Sequence, residues 1–256
     1  MRLSSRIDSY FILISPMIVI LIWEIVVRLG YLESLFFPPP TLVFMTLIKL
    51  LKTGELQPHV FISLRRIFFG FLLGSIPGLF LGLIMGWSKG VRVFLDPVVS
   101  ATYPIPKIAL LPLIMLIFGI GELSKIVLIA IGCFFLVLIN SMAGVMNINR
   151  IYFDVAENYG ASRYKIFTKV VLQGSLPMIF TGLRLALGTS LILVVAAEMV
   201  SANQGLGAMI WLAWETLRTE KLYVGIVVIA FLGLIFTFVL KRLERKLIPW
   251  QREIQI

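Results

Sequence analysis

Long apolar runs alternate with short polar stretches along this chain, and one polar stretch is too long for the rhythm. The runs cover 10–28, 61–86, 97–118, 125–146, 179–200 and 222–240, with charges gathered at their ends. A bilayer core about 30 Å thick is crossed by about 20 helical residues, so each run predicts a membrane-spanning helix. Residues 41–51, TLVFMTLIKLL, would reach only about 16 Å as a helix. They follow FPPP and precede Gly54. This predicts a short helix along the membrane interface, with Thr41 as N-cap and Gly54 as stop. A second short helix is predicted at 206–218, LGAMIWLAWETLR, where tryptophans suit an interface. The exception is 154–177, DVAENYGASRYKIFTKVVLQGSLP. Gly160 divides it into two helical pieces, and Ser162 can cap the second, which reads as running to about Leu172. Tyr164, Phe167, Val170 and Val171 share one face of that piece, and Pro177 closes the insert. A plain connection between antiparallel helices needs only a few residues. The insert therefore predicts a surface for a partner, or else an amphipathic hairpin lying on lipid headgroups.

Composition points the same way. Of 256 residues, 59% are hydrophobic and 14% charged, against about 45–50% and about 25% in soluble domains. The expected fold is an all-α membrane protein, one polytopic domain over 1–256 with six spans and short interfacial helices. The run at 10–27 is expected to be a retained first span, because it is too long for a signal peptide and VVRLGYLES offers no small-x-small cleavage site. The net charge of +10 is dispersed at the ends of the runs, which is a pattern of membrane topology and gives no compact patch for nucleic acid. Six spans put both termini on one side. That side carries thirteen lysines and arginines, and the other five, or eight with Arg28, Arg65 and Arg66. The bias predicts cytoplasmic termini and a cytoplasmic loop at 147–178. The single Cys133 reads as a small core hydrophobe.

Within 61–86, Gly70, Gly74, Gly78, Gly82 and Gly86 recur every fourth residue. They line one helix face and predict a close-packed seam, within the subunit or across a homodimer. Pro77 is expected to kink this helix. Ionisable residues within apolar runs are costly, roughly 2.5–3.5 kcal/mol at a helix centre, so each needs a reason. Lys107, beside Tyr103 in YPIPK, and Glu198 are candidates for a path or gate, or equally for structural pairs. Glu24 reads as structural, and Arg184 as a residue whose head reaches the interface. No His/Cys/Asp/Glu cluster has metal-ligand spacing. His59 and Ser190 lie on different spans, so no nucleophile–base pair and no catalytic residue is expected.

The central insert resembles the cytoplasmic loop of permease subunits of bacterial ATP-binding-cassette importers. Asp154, Val155 and Ala156 stand at its Glu-Ala-Ala positions, Gly160 at its glycine, and Val170, Val171, Leu172 and Gln173 at its Ile-x-Leu-Pro. FPPPTLVFMTLIKLLKTGEL, SLRRIFFGFLLG, YPIPKIALLPLIMLIFGIGELSK and VVAAEMVSANQGLG look like the branch serving nitrate, taurine and aliphatic sulfonates. The resemblance implies a coupling helix built from Asp154, Val155, Ala156, Glu157, Tyr159, Gly160, Ala161, Ser162, Arg163 and Phe167. It implies as partners two cytoplasmic ATPases, a second permease copy and an extracytoplasmic binding protein, in a bacterial inner membrane. No G-x-x-x-x-G-K-[ST] occurs here, so this chain has no phosphate-cradling loop. ATP and Mg²⁺ are expected in the partner. The competing reading is an ion-coupled secondary transporter with Glu24, Glu198 and Lys107 as relays, although no internal repeat of the kind such folds show is visible.

Overall fold

The computed structural model describes residues 4–250, with side chains from residue 14 onward. Among these residues all regular structure is helical, with no strand. Helix α1 (Ser4–Arg28) is followed by the short α2 (Pro40–Thr53) and the long α3 (Leu56–Trp87). Next come α4 (Lys89–Thr102), a 3₁₀ turn (Lys107–Leu110), α5 (Leu111–Phe118) and α6 (Glu122–Met146). The polar insert supplies α7 (Arg150–Asn158) and α8 (Arg163–Ile166), which runs through a wide π turn (Phe167–Val171) into α9 (Leu172–Ser201). Short α10 (Leu206–Glu215) and long α11 (Thr219–Leu247) complete the order.

Four of these helices are long and apolar enough to cross a membrane among the described residues, or five if the α4–α5 pair is one broken span. The expected count of six is not reached on this measure. Run 10–28 lies within α1, where the side chains of residues 10–13 fall outside the described set. Run 97–118 is not one straight span. It divides between α4 and the 107–118 segment, which meet at 87°. The cause is local. Pro104 and Pro106 carry no N–H, so the carbonyls at the end of α4 lose helical partners. Lys107 takes two of them, its Nζ donating to the Thr102 and Tyr103 carbonyls at 2.9 and 3.0 Å. The same ammonium lies 4.3 Å from the centre of the Phe135 ring on α6.

The α3–α6 pair forms the central seam, and the five glycines face α6. A methyl group added at Gly70 would lie 2.6 Å from Ile129 Cβ, at Gly78 2.6 Å from the Phe134 carbonyl, and at Gly86 2.6 Å from Val145 Cβ. At Gly74 and Gly82 it would meet the Ala130 and Leu138 carbonyls. The seam lies within the subunit, and the hydrogen side chains let two backbones touch. Helix α3 continues through Pro77 without a break in its assignment.

Three local expectations change. Thr41 does not cap α2, because Pro39 holds the N-cap position and Pro40 opens the helix. Glu24 supplies the cap from α1, its carboxylate accepting from Thr41 N–H at 3.0 Å and Thr41 Oγ1 at 2.9 Å. A carboxylate there also meets the positive end of α2. Gly54 does terminate α2, at φ +77°. Pro177 does not close the insert, since it sits inside α9 and the helix from Arg163 to Ser201 is continuous over 39 residues. Tyr164 parts from Phe167 and Val171. Val171 is fully buried, whereas Tyr164 is 77% exposed, because α8 packs inward through Ile166, 5% exposed, and turns Tyr164 to the outer side.

Candidate functional site

Two sites lie at opposite ends of α9. At its beginning, α7, residues 159–162 and α8 form an elbow. Asn149 caps α7 by accepting from Ile151 N–H at 3.1 Å, and Ser162 caps α8 by accepting from Lys165 N–H at 3.4 Å. Between them Gly160 takes φ +70°, a conformation that side chains strain to adopt. The Ala161 N–H reaches back to the Ala156 carbonyl at 2.9 Å, closing the helix end. The elbow is anchored from below, where Trp87 of α3 meets the rings of Phe153 and Phe167 at 6.2 and 5.9 Å between centroids. Its outer surface is uncovered: Ile151, Tyr152, Val155, Tyr159 and Tyr164 are exposed, Tyr159 by 88%. Asp154, Glu157, Ala161, Ser162 and Arg163 lie in the same short segment, and Asp154 makes only a 3.9 Å pair with exposed Arg150. Exposed apolar and aromatic side chains on a capped turn mark an interaction surface.

The other end of α9 carries a buried polar cluster that spacing could not reveal. Glu198 is 0% exposed. It accepts from Ser63 Oγ at 2.8 and 2.9 Å, from Arg66 Nη1 at 2.8 Å and from Gly207 N–H at 2.8 Å. Arg66, 2% exposed, also donates to the Gln204 carbonyl at 2.8 Å, and its remaining nitrogens reach Glu122 of α6. Ser63 Oγ accepts from Leu206 N–H, and His59 Nδ1 from Gly205 N–H, at 2.9 and 3.1 Å. Thus α3, α6 and α9 are pinned through Arg66's two carboxylate pairs and the Arg65–Glu122 pair at 3.0 Å, and the start of α10 through the N–H groups of residues 205–207. Lys125, also buried, ties the preceding loop by donating to the Ile120 and Gly121 carbonyls at 3.1 and 3.0 Å. The signals that could have found this cluster are Arg65-Arg66 and the NQGLG glycines. At Gly205 a side chain would strike the Glu198 carboxylate.

The candidate path residues do not converge with Glu198. Lys107 and Tyr103 lie at the α4–α5 bend, Tyr103 44% exposed, while Glu198 has no open face. Arg184 pairs with Glu244 of α11. Among the described residues no group of three His, Cys, Asp or Glu side chains could hold a metal ion.

An apolar helical bundle with one anchored, capped and uncovered polar elbow defines an integral membrane protein built to engage a partner outside the bilayer. The family model described as "Binding-protein-dependent transport system inner membrane component" matches residues 78–249. The chain is 36% identical over 239 residues to the putative aliphatic sulfonates transport permease protein SsuC of Bacillus subtilis, covering 93% of this chain and 87% of that protein. It is 37% identical over 243 residues to the taurine transport system permease protein TauC of Escherichia coli, covering 93% and 88%. The nitrate import permease protein NrtB of Leptolyngbya laminosa is 32% identical over 187 residues, covering 73% and 67%. Among solved structures the fold resembles a chain of the MetNI methionine ABC transporter in its inward-facing conformations. The TM-score is 0.64 at 20% identity, over 74% of this chain and 94% of that one. This chain belongs to the binding-protein-dependent transport system inner membrane component family. It is a multi-pass inner-membrane permease subunit of an ABC importer, a transport subunit rather than an enzyme, and its family works with an ATPase and a binding protein.

Proposed function

We propose that the elbow around Gly160 is the handle by which a cytoplasmic ATPase moves this permease, so that the elbow and both termini lie on the cytoplasmic side. Two permease copies and two ATPases form the working unit, with ATP and Mg²⁺ held by the ATPases. The solute is a small anion of the sulfonate, taurine or nitrate kind, by analogy with the relatives. Lys107 at the α4–α5 bend, with Tyr103 beside it, supplies positive potential toward such an anion. The observation that carries the reading is the elbow's uncovered apolar face on a segment continuous with α9. ATPase closure would tilt α9 as a rigid body, a switch between two packed arrangements. The ion-coupled alternative loses its relays, since Glu198 and Glu24 are both saturated by hydrogen bonds.

The test is Gly160→Glu, co-expressed with the ATPase. A Cβ at Gly160 meets no atom within 4 Å, so the fold pays only the local cost of a left-handed residue, roughly 1–2 kcal/mol. The variant is expected to insert and melt nearly as the native chain does, yet to co-purify at least about tenfold less ATPase. Gly90→Glu, also in open space, is the control. Undiminished ATPase capture by Gly160→Glu would overturn the assignment.

A further inference from the structure

A cavity of about 470 Å³ opens beside the elbow, where α3 and α6 end and α4 and α7 begin. Its walls are of two kinds. Val145, Ile148 and the rings of Trp87 and Phe153 are apolar, while Arg92 and Arg150 are its charged residues and no carboxylate lines it. Arg92 is partly buried, and its guanidinium has no hydrogen-bond or ion-pair partner among the described residues. A partly desolvated, unanswered guanidinium is unfavourable unless an anion completes it. Arg150 has only its 3.9 Å contact with Asp154, both side chains exposed, a pair of little worth. Arg92 stands in the first turn of α4 and Arg150 opens α7, so the positive ends of two helices lie beside the same opening. Guanidinium forks match the oxygens of phosphate or sulfonate. The position at the ends of two membrane-spanning helices, with Trp87 on the wall, is the depth at which headgroups lie.

We propose that this cavity binds an anionic organic head, a phosphate or sulfonate carried on an apolar body. Two sources supply that chemistry: an anionic phospholipid of the adjoining leaflet, or a soluble alkyl sulfonate. The site is separate from both the elbow's outer face and the buried cluster, and its assignment does not depend on which solute the permease carries. Because Trp87 also packs on Phe153 and Phe167, an occupant touches two of the rings that anchor the elbow.

The experiment is native mass spectrometry of the full chain in mild detergent, with phosphatidylglycerol and phosphatidylcholine offered in equal amounts, and separately with octanesulfonate. Arg92→Gln removes the unanswered cation. Lys89→Gln removes an exposed charge from the same helix turn outside the cavity. Preferential retention of phosphatidylglycerol, lost about tenfold in Arg92→Gln but kept in Lys89→Gln, supports the site with lipid as its source. The same pattern with octanesulfonate supports it with a soluble source. No binding to the native chain, equal binding by Arg92→Gln, or equal loss in Lys89→Gln would overturn it, the last by showing diffuse surface charge. Since Arg92 holds no partner, its replacement is expected to leave the melting temperature unchanged, and a fall would contradict the geometry.

Discussion

Gly78→Ala isolates the physics of the central seam in a single methyl group. The added carbon would sit 2.6 Å from the Phe134 carbonyl oxygen and 3.3 Å from its carbon, whereas ordinary contact begins near 3.4 Å. The neighbour is backbone, so no rotamer change relieves the clash. Helices α3 and α6 must part by nearly 1 Å at this level. A gap of 0.5–1 Å already forfeits a quarter to a half of each affected dispersion contact, and overpacking costs about 1–3 kcal/mol. Against this stands the helix preference for Ala over Gly, up to about 1 kcal/mol. The net is a loss of about 1 kcal/mol, a melting drop of a few degrees at about 2–4 °C per kcal/mol. Gly188→Ala in α9 carries the opposite sign, for its Cβ meets nothing within 4 Å and only the helix preference remains. Thermal unfolding in detergent, followed by tryptophan fluorescence, compares the two. If Gly78→Ala melts at or above the native temperature, the close-approach account of the seam is wrong.

Other outcomes follow from the remaining features. Arg66→Ala leaves Glu198 buried without its cation and is expected to cost about 3–5 kcal/mol. The double replacement Arg66→Met with Glu198→Met should recover much of that loss, and a melting curve for the double variant no better than Arg66→Ala would refute pairing as the cause. Leu217 takes φ +52° just past α10, while Arg218 N–H bonds the Ala213 carbonyl at 2.8 Å, the position where helices ordinarily place glycine. Its side chain is 58% exposed, so Leu217→Gly relieves strain of roughly 1–2 kcal/mol and is expected to raise the melting temperature. A fall would mean that the leucine packs more than its exposure allows.

Legibility in the sequence tracked the range of the forces involved. The glycine register, the Gly54 stop, the two short helices and the Ser162 cap are written within a few residues of where they act. The 97–118 break was hidden because hydropathy measures length and not direction. YPIPK contained the breakers, but only the Lys107 ammonium on the Thr102 and Tyr103 carbonyls fixes the bend. The Arg66–Glu198 pair spans 132 positions, and no periodicity joins residues so far apart. Pro177 misled for a different reason. A proline inside a membrane helix is tolerated where neighbours re-satisfy the freed carbonyl groups, so it does not mark an end as it does in water.

The unbroken helix from Arg163 to Ser201 extends about 58 Å at 1.5 Å per residue, roughly twice the thickness of the hydrocarbon layer. One end of it carries the elbow, held to α3 through Trp87, and the other is held at Glu198 to Ser63 and Arg66 of α3. The helix carries a π turn at Phe167–Val171 and a proline, Pro177, further on, both toward the elbow end. On the proposed coupling, a torque at the elbow would travel along this rod, and the polar cluster around Arg66 would either rotate as one block with it or be the place where the stroke is absorbed.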